Sequence, residues 1–407
     1  MPHTFRRAIA LPAALGVCAL LLSAGVLSAV LIRGQPPAPP GPPAPPAAPI
    51  GKPAVPAAPL AASKAERRFG IEKPLARPAG TIRLASYNLE NLFDDQDDPA
   101  LSGQYEDAKA TKPDADCKAV AAAIKATDAD IIAVQEIESL QSLTWFRDKY
   151  LTGLGYDHIA CIDAGDERGI EQGVLSRFPV KDTQNWLQAP LGGTHPDKFG
   201  KEANKYAGQP IVFHRSPLRV TVAIPAAAAG PGSAAFDLTL FVIHYKSGGP
   251  GNYWREKEAA KTAELVAAFE ATHKDASVIV LGDFNCQLTE PPLKTLSAAG
   301  LIDAFKDRSA KDPTIITHAS GRVIDHMMMN KTAHARMVME SRFVLGTITR
   351  PDGVDFRTTP NPEGWASDHY PVVVDLRPTP ISTPIPTTIP ITPPTTPTNP
   401  PTPVPGS

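Results

Sequence analysis

The chain has 407 residues, 45 of them proline, and a formal net charge of -2 with its histidines neutral. That balance excludes a polycationic field able to gather nucleic acid non-specifically. The prolines crowd the two ends, which argues against dividing the length into two folded domains.

At the N-terminus Arg6 and Arg7 precede an almost unbroken apolar run over 8–32, closed by Arg33. About 20 apolar residues cross a bilayer, and no clean A-x-A cleavage signal follows the run. Residues 1–34 therefore read as an uncleaved membrane anchor, with a cleaved signal segment as the alternative. Either reading places the rest of the chain outside the cytoplasm. Residues 35–68 read as a Pro/Ala-rich linker and 377–407 as a Pro/Thr-rich tail expected to be disordered. Neither has the apolar side chains for a core, and both suit an extended spacer. Residues 69–376 remain for one α/β domain.

Within it, strand-like runs repeatedly end in polar residues. Ile82, Leu84 and Ser86 alternate with Arg83, Ala85 and Tyr87, and the run then presents Asn88 and Glu90. A helix starting near Asp116, with Val120 and Ile124 on one face, precedes an apolar run over 131–134 that ends at Gln135 and Glu136. The run over 238–243 delivers His244 and Lys246, and a helical pattern rich in Glu, Lys and Ala covers 254–269. A third run, 278–281, ends in Gly282, Asp283, Phe284 and Asn285. Asp325 and His326 open a strand through Met327–Met329, and Ser367, Asp368 and His369 precede a closing strand over 372–376. Strands alternating with helices predict a layered α/β fold.

If these strand ends converge, they gather Asn88, Glu136, His244, Asp283, Asn285, Asp325, Asp368 and His369. Carboxylates and amides without cysteine suit Mg²⁺ (or Mn²⁺) rather than zinc. The two histidines are left to bind or protonate an anion, so the set fits metal-assisted phosphoryl transfer to water. Asp283 and Asn285 stand two apart on an extended chain and so point the same way. The stretches "SYNLENLFD", "DIIAVQEIE", "GVLSRFPV", "IHYKSGG", "GDFN", "IDHMMMN" and "SDHYPVVVDL" resemble, in order, the successive motifs of the endonuclease/exonuclease/phosphatase superfamily.

That resemblance implies a four-layer α/β sandwich, with two face-to-face β-sheets flanked by helices. It implies Glu136 as the main metal ligand, with Asn88 and Asp368 also at the metal. Asp283 is the expected general base and Asn285 an amide donor to phosphate or nucleophile. His369 is expected on a non-bridging oxygen, supported by Asp325, and His244 as phosphate ligand or leaving-group acid. Arg168, Lys246, Arg255 and Trp365 are candidate substrate-groove residues. The His-led turn at His244 resembles the deoxyribonuclease I-like and lipid-hydrolysing branches. The function expected is an exported or membrane-anchored phosphodiesterase, foremost a nuclease acting on nucleic acid. The alternative is a sphingomyelinase-like phospholipid, inositol-phosphate or small phosphoester hydrolase; a non-catalytic adhesion module is the remote one. Three expectations concern packing. His326 faces away from the site, Cys286 packs, and the acidic stretch 94–99 is a solvated loop. A disulfide between Cys117 and Cys161 and free thiols both stay open.

Overall fold

The computed structural model describes residues 66–96, 111–229, 233–354 and 358–379. The expected anchor, most of the linker and most of the tail lie outside the described residues. Among the described residues no helix is long and apolar enough to cross a membrane.

The chain runs β1 (Ile82–Leu92), α1 (Asp114–Thr127), β2 (Ile131–Ile137), α2 (Leu140–Tyr150), β3 (His158–Cys161) and β4 (Glu171–Ser176). After β5 (Val180–Gln184) an excursion holds β6 (Pro190–Thr194), β7 (Lys198–Phe199), β8 (Glu202–Ala203) and β9 (Pro210–Val212). There follow β10 (Leu218–Ile224), β11 (Phe236–His244), α3 (Asn252–Thr272), β12 (Ser277–Asp283) and α4 (Pro291–Ala298). The last elements are β13 (Ile302–Asp303), β14 (Asp325–Met329), α5 (Lys331–Arg336), β15 (Phe343–Val344) and β16 (Val372–Leu376). One six-stranded sheet has the order β15-β16-β1-β2-β4-β3 and the other β13-β14-β12-β11-β10-β5.

The four-layer sandwich follows from alternation. Side chains two apart share a face, and the two faces of each sheet are both apolar. Ile82, Leu84, Ile131 and Ala133 of one sheet meet Leu240, Val242, Ile279, Leu281 and Met327 of the other. Their neighbours Ala85, Tyr87, Ile132 and Val134 turn outward onto Val120 and Ile124 of α1 and Phe146 of α2. In the second sheet Phe241, Ile243, Val278 and Val280 turn outward onto Val266 of α3 and Leu293 and Leu296 of α4. Each such aliphatic side chain, fully buried, contributes about 1.5–3 kcal/mol. The parallel pairs β1/β2 and β11/β12 need crossovers, which α1 and α3 supply. At the edge of β1, Arg83 stands opposite Asp375 of β16. Its guanidinium grips that carboxylate through Nε and Nη2, both at 2.9 Å, in a fully buried pair.

Cys117, Cys161 and Cys286 are all free thiols, so the Cys117–Cys161 disulfide is not formed. Cys286 is buried in the helix-side core, as packing requires. The acidic stretch is described only as far as Gln96. Asp94 departs from the expectation of a solvated loop. It is buried, its N–H donates to the Glu138 carboxylate, and its own carboxylate accepts the Gln96 N–H.

Candidate active site

Register alone assembles half the site. His244 lies opposite Asp283 on the parallel neighbour, and Asp283 opposite Asp325 on the antiparallel one. The three polar side chains thus form one row across the end of the second sheet. Gly282 lets β11 and β12 approach there. Its φ is 134°, and a Cβ would stand 2.1 Å from the Ile243 carbonyl oxygen. Asn285 follows at φ 52°. Its backbone N–H donates to Asp283 Oδ1 at 2.8 Å, and its Nδ2 to Asp283 Oδ2 at 3.1 Å.

The facing sheet supplies the other half through irregularity. Strict alternation would send Glu136 to the helix side, because Ile131 and Ala133 face the other sheet. Instead the register slips between Gln135 and Ile137, and Glu136 takes φ 59°. A left-handed residue other than glycine costs roughly 1–2 kcal/mol. β1 slips likewise between Asn88 and Leu92, with Glu90 at φ 51° and Asn91 at φ 58°. The Glu136 carboxylate then accepts the Asn91 N–H at 3.2 Å. It also lies 3.4 Å from Arg168 Nη2 and 3.7 Å from His244 Nε2.

Asn88 joins the halves. Its Nδ2 is 3.4 Å from both Glu136 Oε1 and Asp283 Oδ2, while its Oδ1 accepts the Glu90 N–H. Two carboxylates flank one buried amide, among oxygens and imidazoles. That donor chemistry fits a hard divalent cation at Glu136. Asn88 could ligate it there only with its amide turned over, since Nδ2 rather than Oδ1 faces Glu136. Asp368 lies near His369 Nε2, the nitrogen that also faces Asp283. Its Oδ2 is 3.4 Å from His318 Nε2 and its Oδ1 3.9 Å from His369 Nε2.

His369 and Asp325 meet as the resemblance implies. His369 Nδ1 lies 3.0 and 2.9 Å from the two oxygens of Asp325, and its Nε2 lies 3.7 Å from Asp283 Oδ2. Burial pushes the His369 imidazole down, but Asp325, Asp283 and Asp368 outweigh it and hold it well above the usual histidine range. Burial pushes the Asp283 carboxyl up to about 6, against the lowering pull of His369. His244 lies well below its ordinary range because it is buried among Arg215, Arg168 and His369. Burial also pushes Asp368 up, yet His318, His369 and Arg350 hold it well below the usual carboxylate range.

Two candidates do not line a groove. Arg255 is 3% exposed, and its guanidinium donates to the Lys246, Gly248 and Asn252 oxygens, which fixes the turn after β11. Trp365 is 1% exposed, packs under Arg350 and donates its indole N–H to Glu90 Oε2 at 2.8 Å. His326, one residue past Asp325, points to the opposite face, with its Nδ1 3.0 Å from Asp303 Oδ2.

His318 belongs at the site although the sequence did not single it out. Its ring stacks edge-on against His369 at 4.6 Å. The Ser320 N–H donates to its Nδ1 at 2.9 Å, which leaves the proton on Nε2, directed at Asp368. It sits in a loop before β14, and the short spacing "THASGRVID" to Asp325 was the only available signal. Glu90, at the end of β1, belongs to the same network. It accepts Arg350 and the Asp368 N–H, and burial with Asp368 beside it pushes its carboxyl up to about 7.

A raised carboxyl, a carboxylate-held imidazole and oxygen donors that suit a hard cation, gathered at the facing ends of two sheets, are the groups a metal-dependent phosphoester hydrolase would use. The chain belongs to the Endonuclease/Exonuclease/phosphatase family, whose family model matches residues 85–369. Among solved structures it is similar to the human nocturnin catalytic domain with bound sulfate anion, at 15% identity and TM-score 0.45, covering 74% of this chain and 95% of that one. It is also similar to the Bacteroides thetaiotaomicron mannosyl-6-phosphatase, at 18% identity and TM-score 0.44, covering 72% and 99%. Truncated Caenorhabditis elegans TDP2 stands at 14% identity and TM-score 0.44, covering 73% and 97%. No curated protein matches the chain.

Proposed function

We propose that this protein is a Mg²⁺- or Mn²⁺-dependent phosphodiesterase that hydrolyses nucleic acid by direct attack of water, held outside the cytoplasm by residues 1–34. The observation that carries the chemistry is the single network joining Asp283, His369–Asp325, Asn285 and Glu136 across both sheets. Asp283 is the base. A carboxyl raised to about 6 is ionised at neutral pH yet basic enough to take a proton from water. Asn285 fixes both Asp283 oxygens, which aims the remaining lone pairs at one point. His369, kept protonated by Asp325, donates from Nε2 to a non-bridging oxygen and offsets the growing negative charge. His244, neutral by burial, suits a phosphate-binding N–H donor better than a leaving-group acid.

A cation held by Glu136, with Asn88 as a further ligand, would supply Lewis-acid polarisation of the phosphoryl group. The preference for nucleic acid rests on the His-led "HYKSGG" turn, and the location on the apolar run over 8–32. The test is a substrate panel of plasmid, RNA, sphingomyelin and inositol phosphates with Mg²⁺, Mn²⁺ and Ca²⁺. Cleavage of plasmid or RNA that stops in EDTA and returns with Mg²⁺ or Mn²⁺ is expected. Glu136→Gln should raise the metal concentration required. Full activity in chelator would refute the mechanism, and turnover of lipid or inositol phosphate alone would refute the nuclease assignment.

A further inference from the structure

Glu90 shares the end of the first sheet with Glu136 but has taken other partners. β1 slips between Asn88 and Leu92, and Glu90 leaves the regular strand at φ 51°. Its Oε1 accepts Arg350 Nη2 at 2.9 Å. Its Oε2 accepts the Trp365 indole N–H at 2.8 Å and the Asp368 backbone N–H at 3.2 Å. Both oxygens are therefore engaged, and the Lys112 ammonium donates to the Glu90 carbonyl oxygen at 2.9 Å. Arg350 is held as firmly. Its Nε and Nη2 donate to Asn361 Oδ1 at 3.0 and 2.7 Å, and Asn361 Nδ2 donates in turn to Asp116 of α1 at 2.6 Å. The guanidinium lies 3.9 Å over the Trp365 ring. Arg350 and the Asp368 amide thus meet on one carboxylate, while Asp368 Oδ2 faces His318 Nε2 at 3.4 Å.

Distance alone would allow an ion at this place. Ligand atoms of His318, Asp368 and His369 all lie within 4.8 Å of one another. Hard cations bind through carboxylate oxygens, and Glu90 and Asp368 are the carboxylates at hand. What opposes an ion is charge. An arginine guanidinium is a permanent cation, so a divalent ion entering beside Arg350 meets a fixed like charge. It must also strip Glu90 of hydrogen bonds already made to both of its oxygens. Glu136 differs, because its charged neighbour, Arg168 Nη2, stands back at 3.4 Å and belongs to a part-exposed side chain.

We propose that Arg350 is a built-in cation that keeps a second divalent ion from Glu90 and Asp368, so that Glu136 is the one ion site of the centre. Asp368, expected at the metal by resemblance, serves in this arrangement as the partner of His318. The inference deepens the metal-dependent reading and rests on it for the ion at Glu136. The role of Arg350 is tested by a difference between two proteins, whatever the first ion does.

The probe is Mn²⁺, counted on the full-length protein by the EPR signal of the free ion. Wild type is expected to bind one ion tightly, Arg350→Met two, and Arg350→Lys one. Methionine keeps bulk over Trp365 without the charge, and lysine keeps the charge. An Arg350→Met count equal to that of wild type overturns the inference, and so does a second tight ion in wild type. Should urea melts show that Arg350→Met does not fold, the spectrum of Mn²⁺ bound to wild type decides. An isolated ion is expected there, and a spin-coupled pair of ions overturns the inference. No bound ion in wild type refutes the metal-dependent reading. The gain of one ion in Arg350→Met, or its failure to appear, then still decides the role of Arg350.

Discussion

Asp325 and His369 are 44 residues apart in sequence and share one hydrogen atom in the fold. Both are buried, and the imidazole nitrogen lies 2.9–3.0 Å from both carboxylate oxygens. That bifurcated contact counts as one charged hydrogen bond, about 1.5–3 kcal/mol. Removing one partner also leaves the other buried and unpaired, which raises the cost to about 3–5 kcal/mol. If the pair works only as an imidazolium facing phosphate, that energy is lost from the transition state. Asp325→Asn and His369→Gln should each lower kcat/KM by roughly 10²–10⁴. The double variant should fall little below the worse single, a coupling of about 3 kcal/mol. The assay is kcat/KM for all four proteins at saturating Mg²⁺, with folding checked by urea melts. Losses that multiply in the double variant would show that the two residues act independently, and the reasoning would fail. The same pair gives a pH signature in metal-free protein. The folded His369 holds its proton to higher pH than the ordinary value of 6.5. Its stabilisation is therefore complete below that value and is lost as pH rises through the folded one. Asp325→Asn should flatten this dependence of the urea midpoint.

Asp283→Asn keeps the shape but cannot accept the proton, so kcat should drop by roughly 10²–10⁴. In wild type the rate should decline as pH falls through about 6, where Asp283 becomes protonated. A wild-type rate in the variant would exclude Asp283 as base. Arg83→Ala leaves Asp375 buried and unpaired between β1 and β16, which should cost about 3–5 kcal/mol in urea unfolding. A change under 1 kcal/mol would mean that the pair behaves like a surface one. Full-length protein should sediment with membranes and resist carbonate, while a fusion truncated before Gly34 should stay soluble. A soluble, N-terminally trimmed full-length product would establish a cleaved signal instead.

Where regular strands place the chemistry, the sequence was legible. His244, Asp283 and Asp325 end or open apolar runs, and pairing in register aligns them. The same alternation separates the two core faces of Ile131–Val134. It fails at Glu136, where a period of two points the side chain at the helices and only a left-handed backbone turns it back. The resemblance implies a ligand role for Glu136, but no spacing rule derives its direction. Arg255 and Trp365 have the right chemistry for a groove, yet a residue type does not report which way its side chain leaves the backbone. His318 was missed because it belongs to no periodic run and depends on a loop contact with Ser320. The β6–β9 excursion carries mixed charge and no strong alternation. Its order comes from tertiary contacts such as His195 on Trp254 at 4.4 Å.

Six non-glycine residues among the described ones have positive φ, and four of them, Glu90, Asn91, Glu136 and Asn285, surround the site. Glycine would hold each of these backbones more easily. At Glu136 and Asn285, the two to which hydrolysis is assigned above, the backbone alone would favour glycine, whereas Glu90 is also held by Arg350, Trp365 and the Asp368 N–H. A copy of the gene kept only for folding or attachment would drift first at these two positions, toward glycine. A screen for thermal stability without a turnover screen would choose the same changes. Glu136→Gly should raise the urea midpoint slightly while ending hydrolysis, a pair of outcomes that separates an inherited scaffold from a working enzyme.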